Sequence, residues 1–204
     1  MERRELLKLI AVTTGTAMVG MPALAYDQVP PVPLKDTPFS KEDVSFINDV
    51  AEVILPKTDT PGAKDANVGA TIAVIAADCY TDAQRAHFKA GLNDIDTRAK
   101  AQFGKPFLLL DSDSKTTLLS ELDREANAYN KKVGLWDVAT DKPSDRKPDS
   151  DKPLPHAFSL VKQMSLYTFF TSEVGATKVL RYVAVPGYYN GELDYKKGDR
   201  AWAT

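Results

Sequence analysis

The chain has 204 residues, 43% hydrophobic and 26% charged, which is enough apolar content for one globular core and excludes disorder throughout. Its 26 basic and 28 acidic side chains leave a formal net charge of −2, which excludes the basic footprint of a nucleic-acid binder and a polybasic patch for anionic lipid. One cysteine and two histidines exclude an intrachain disulfide and leave little from which to build a zinc or other transition-metal site.

In chain order, residues 1–25 read as an export leader. Arg3 and Arg4 precede Leu6, Leu7 and Lys8, and an apolar run from Leu9 to Val19 is diluted by Thr13, Thr14, Gly15 and Thr16. Ala23 and Ala25 supply the small residues of an A-x-A cleavage site. Gly20 and Pro22 interrupt the run, so it falls short of the roughly 20 apolar residues of a spanning helix. A Sec-type leader is the rival reading. The paired arginines with Leu6, Leu7 and Lys8 resemble a twin-arginine signal, with Glu2 where Ser or Thr is usual and Leu6 where Phe is common. That resemblance implies a protein that folds before export and works in the periplasm.

Residues 26–39 hold Pro30, Pro31, Pro33 and Pro38, and read as an extended arm. Ser40 with Asp43 makes a capping signal for a helix whose buried stripe is Val44, Ile47, Val50, Ala51, Ile54 and Leu55. Pro56 stops it, and Pro61-Gly62 marks a turn. Val68, Ile72, Ile75 and Cys79 suggest a second, alanine-rich helix, with Cys79 expected to be a small buried hydrophobe. Thr81 to Gln84 starts a third, facing inward with Phe88, Leu92, Ile95, Ala99 and Phe103, and closed by Gly104 and Pro106. Phe107–Leu110 could form one short extended piece. Ser114 begins a fourth helix through Leu118, Leu122, Ala126, Tyr129 and Val133.

Ala139 to Pro155 is a charged, proline-rich loop. Helical spacing resumes from His156 to Val174 through Leu160, Val161, Met164, Tyr167 and Phe170. Gly175 precedes a short final helix near Lys178–Val183, and the tail 186–204 is rich in Gly and Tyr. The expected fold is therefore all-α: a single helical domain over 40–185, with about five or six helices and extended arms at both ends.

No GxGxxG, GxxxxGK[ST] or CxxCH is present, so dinucleotide, P-loop and covalent haem sites find no support. Asp111-Ser112-Asp113 imitates the start of an EF-hand loop, but Thr116 and Leu122 stand where glycine and glutamate are needed. It reads better as a capping loop. His87 is expected at the surface, and His156 at a helix start as a cap or surface contact. No cofactor site is expected in the chain itself.

The stretch Ile54-Leu55-Pro56-Lys57-Thr58-Asp59-Thr60-Pro61-Gly62-Ala63 is a helix end running into a stiff polar loop. Asp59 could accept backbone amides there in an Asx-type turn, with Lys57 neutralising it. This stretch resembles the gluconate 2-dehydrogenase subunit 3 family. The likeness continues in Asp65 to Ala70, Tyr167 to Ala176, Leu180 to Tyr189, and Trp202.

The resemblance implies a small, cofactor-free, non-catalytic subunit. Its partner is a large FAD-binding dehydrogenase subunit of the glucose–methanol–choline type, and a multihaem cytochrome c subunit often accompanies such a pair. Membrane association would come only through the complex. Pro56, Lys57, Asp59, Tyr167, Tyr182, Tyr188, Tyr189 and Trp202 are the candidate partner interface, the tyrosines and Trp202 because such rings are enriched where subunits meet. The tail could instead wrap its own helices. Two further readings remain open: a free-standing periplasmic helical binding or scaffold protein, and an enzyme with a site around Asp59, Glu173 and His156.

Overall fold

The computed structural model describes residues 37–135, 153–185, 187–188 and 190–203. The expected leader, with Arg3, Arg4, Leu6, Leu7, Lys8, Ala23 and Ala25, lies outside the described residues. So do the arm up to Asp36, the loop 136–152, Pro186 and Tyr189.

Among the described residues five α-helices carry the fold: α1 (Lys41–Ile54), α2 (Val68–Asp78), α3 (Asp82–Phe103), α4 (Ser112–Lys132) and α5 (Ala157–Thr171). The only pairing outside helices among the described residues is an isolated parallel bridge between Arg181 and Trp202. The all-α expectation holds, and no described helix is long and apolar enough to cross a membrane.

The helix starts are set by local chemistry. Ser40 accepts the Asp43 amide at 3.1 Å while the Asp43 carboxylate accepts the Ser40 amide at 2.9 Å, a reciprocal box that satisfies two orphan donors. Thr81 and Gln84 repeat it at the head of α3. Gly104 ends that helix in the left-handed region at φ 69°. Asp111, rather than Ser114, caps α4, because the Asp111 carboxylate accepts both the Ser114 amide and hydroxyl. The acidic triplet at 111–113 is thus a helix cap.

The core sits around α5, which packs against each of α1, α2, α3 and α4. Phe158, Leu160, Val161, Met164, Phe169 and the polar Ser159, Ser165 and Thr168 are all buried. Ser165 and Thr168 donate to the carbonyls of Val161 and Met164, so their hydroxyls enter the core without an unpaired group. Small residues let the backbones close in. A Cβ on Gly91 of α3 would lie 2.8 Å from the Ala157 side chain, and one on Gly69 of α2 would lie 2.5 Å from the Val44 carbonyl of α1. Phe88 and Phe107 are fully buried, each contributing roughly 2–3 kcal/mol of apolar burial.

Several sequence expectations are corrected. Phe107–Leu109 is a 3-10 turn and not an extended piece, because Phe107 must turn inward where Asp96 accepts its amide at 2.9 Å. Cys79 is exposed, since α2 ends at Asp78 and Cys79 is its C-cap. Tyr167 is exposed on α5 and Tyr129 on α4, while Phe170, Phe103, Ile75 and Val133 are only partly covered. Helix α5 stops at Thr171, short of Val174. The final helix near Lys178–Val183 is instead a π-helical turn at Gly175–Val179, followed by extended backbone. Gly175 is needed there because a Cβ would overlap the Phe169 carbonyl oxygen.

Candidate partner-binding surface

The connection between α1 and α2 is a shelf held from within. Glu52, near the end of α1, accepts the Lys57 amide at 2.9 Å and the Lys64 amide at 2.8 Å. Asp65 accepts the Gly62 amide and pairs with the Lys57 ammonium, each at 3.1 Å. The Gly62 amide first and Lys57 second hold the Asp65 carboxyl below its ordinary range. Lys64 pairs with Asp49 on α1. Gly62 is buried, and a Cβ there would strike the Glu52 carboxylate and the Lys57 backbone nitrogen.

The role expected of Asp59 therefore belongs to Asp65. Asp59 is exposed and accepts from the Thr58 hydroxyl at 2.9 Å, and Lys57 neutralises Asp65 instead. Sequence reasoning missed Glu52 and Asp65. A carboxylate three residues beyond Gly62 was the available signal for Asp65, and Glu52 gave none, since its loop partners lie five and twelve residues away. Pro56, Lys57 and Asp59 remain exposed on the shelf. A cleft of about 400 Å³ runs from Lys57, Asp59 and Asp65 to Val174 and Lys178 of the π-turn region.

The same turn anchors the tail. The Arg181 amide donates to the Ala201 carbonyl at 2.8 Å, and the Ala203 amide donates to the Arg181 carbonyl at 2.8 Å. The Arg181 guanidinium stacks over the Trp202 ring at 4.5 Å, and Arg200 donates to the Lys178 carbonyl at 2.9 Å. Stacking leaves Arg181 Nε buried without a hydrogen-bond partner. Between these ends the chain loops outward: Tyr182, Val183, Val185, Tyr188, Leu193 and Tyr195 are all more than half exposed. The tail thus closes on its own base, and these side chains are not wrapped against the helices.

Of the candidate interface residues, the structure gathers Pro56, Lys57 and Asp59 on the shelf and Tyr182 and Tyr188 on the loop, with the π-turn touching both regions. Trp202 belongs to the clasp at the loop base. Tyr167 stands apart on the exposed strip of α5 with Gln163 and Thr171, and Tyr189 lies outside the described residues.

Asp59, Glu173 and His156 do not form a site. His156 precedes α5 and Glu173 follows it, so fifteen helical residues, on the order of 22 Å, separate them. His156 caps α5, its Nδ1 accepting the Phe158 amide at 3.2 Å. His87 is not free at the surface: its Nε2 meets the Pro155 carbonyl at 2.9 Å. No cluster of three or more His, Cys, Asp or Glu forms a metal site among the described residues.

Comparison with known proteins gives one family: the model described as gluconate 2-dehydrogenase subunit 3 matches residues 41–187. No match was found among curated proteins. None was found among solved structures.

Proposed function

Because this chain belongs to the gluconate 2-dehydrogenase subunit 3 family, we propose that it is the non-catalytic small subunit of a periplasmic, FAD-dependent sugar dehydrogenase complex, exported with its flavoprotein partner by the twin-arginine route. The family is that of an accessory subunit of a dehydrogenase complex. The match over residues 41–187, which spans the whole helical body, is the observation that carries the reading.

In this proposal the flavin resides in a large subunit of the glucose–methanol–choline type, and a multihaem cytochrome c can take the electrons onward. The small subunit binds the folded large subunit in the cytoplasm. Binding to the folded form alone stabilises it, by about 2.7 kcal/mol at a hundredfold excess over Kd. Arg3 and Arg4 then direct the pair to a translocon that accepts folded cargo. A near-neutral charge fits a protein that reaches the membrane only through its complex.

The test is immunoprecipitation from the periplasmic extract of the source cell. The expected precipitate is yellow and contains a larger FAD protein in equal proportion. Replacing Arg3→Lys and Arg4→Lys together should strand both chains in the cytoplasm. A flavoprotein that still reaches the periplasm in that variant sinks the escort role, and a colourless lone chain from the wild type sinks the complex.

A further inference from the structure

We infer that the clasped loop from Tyr182 to Arg200 is the element that docks on the large subunit, presenting an uncharged tyrosine and valine limb to an apolar groove there. This rests on the small-subunit reading above. Val185, Tyr188 and Tyr195 are 81%, 78% and 76% exposed, and the loop gathers most of the strongly exposed large apolar side chains of the described chain. An exposed apolar group of this size, gathered on one loop, is of the kind that marks a contact site.

The size is right for a subunit contact. At about 200 Å² per ring, the exposed parts of Tyr182, Tyr188 and Tyr195 come to on the order of 400 Å². That is about half of the ~800 Å² one partner contributes to a stable interface, before Val183, Val185 and Leu193 are added. The chemistry of the groove follows from the charges. Residues 182–191 carry no ionisable acid or base other than tyrosine hydroxyls. The returning limb balances Glu192, Asp194 and Asp199 against Lys196, Lys197 and Arg200. A neutral limb selects an apolar surface with a few acceptors for phenol hydroxyls, and not a charged one.

The base makes the loop ready to bind. The Arg181–Trp202 clasp and the Arg200 bond to the Lys178 carbonyl fix both ends, so much of the ordering entropy is met before the partner arrives. Trp202 is accordingly a positioning residue for the loop. The π-turn beneath continues into the Lys57–Asp65 cleft, which gives the interface a polar rim.

The test compares wild type with a Val185→Ser, Tyr188→Ser, Tyr195→Ser variant in the same immunoprecipitation. The variant should keep its helical circular dichroism and lose the flavoprotein by about tenfold or more, as expected when central apolar anchors are removed. Should the triple change lower the helical signal, Tyr188→Ser alone carries the test. The wild-type complex should survive a rise from about 50 to 500 mM salt, which screens charge but not apolar contact. A variant that precipitates the flavoprotein as well as wild type overturns the loop assignment and leaves the small-subunit reading standing. Loss of the wild-type complex in high salt overturns the apolar groove. A wild-type chain that brings down no flavoprotein overturns both readings. A tail change that alters only self-association puts a second copy on the loop and overturns this partner.

Discussion

His156 holds the first turn of α5 with an unprotonated ring nitrogen, because Nδ1 must accept the Phe158 amide. Burial first, then Arg98 and His87, lower its pKa below 6.5, while Glu125 and Asp94 pull the other way. Protonation would remove the cap and place a cation at the positive end of the helix. The unfolded chain therefore takes up the proton at higher pH than the folded one. Stability contributed here is complete above about pH 6.5 and falls as pH drops toward the folded value. His156→Asn keeps a capping oxygen without the titration. Thermal melts from about pH 7.5 to 5 should show a steeper loss of Tm for wild type than for His156→Asn, and parallel slopes would refute the assignment.

Residue identities were legible where the partner lay within a turn. Ser40 with Asp43, Thr81 with Gln84, and Gly104 all show their function in their neighbours. The partner of Lys57 lies beyond that window: spacing points to Asp59, two residues away, while the loop folds back to bring up Asp65. At Cys79 the apolar spacing runs past Asp78, the last residue of α2, and so points inward where the chain has left the helix.

At the scale of elements, the junction of α4 with α5 depends on one buried amide. Asn130 donates to the Ser159 hydroxyl at 2.7 Å and accepts the His156 amide at 2.9 Å. It is fully buried, so Asn130→Ala leaves the Ser159 hydroxyl and the His156 amide without this partner. The expected loss is about 1–3 kcal/mol, read as a lower urea midpoint with an unchanged slope. The helix ranges were largely readable, yet the buried face of α5 was not. Its polar residues Ser159, Lys162, Gln163, Ser165, Thr168 and Thr171 are scattered around the helix, so spacing does not decide between Tyr167 and Thr168, whereas four packed neighbours do. Nothing local announced the pairing of Arg181 with Trp202, since the two lie at opposite ends of the tail loop.

At the scale of the whole molecule, a closed helical body carries a loop that contributes little to it. Trp202→Ala should free the loop by removing the guanidinium stack, an interaction worth about 0.5–1 kcal/mol at an exposed site. Trypsin should then cut at Lys196, Lys197 or Arg200 about two- to fivefold faster, while the Tm of the body changes little. A large fall in Tm would instead make the tail part of the core. The family resemblance was legible at this scale from scattered short stretches, but the outward direction of the tail required the structure.

The position of α5 also sets a clock. The helix that touches all four others is the last of the five to be made, so α1 to α4 must wait for it on the ribosome. At roughly 5–20 residues per second, the interval between completing α1 and completing α5 is on the order of ten seconds. For that time the earlier helices can pair with one another, α1 with α2 above all, but the faces that α5 covers stay open, and chaperones or nonspecific collapse compete for them. Any step that requires the finished fold must therefore wait for α5, the last of these five helices to be made.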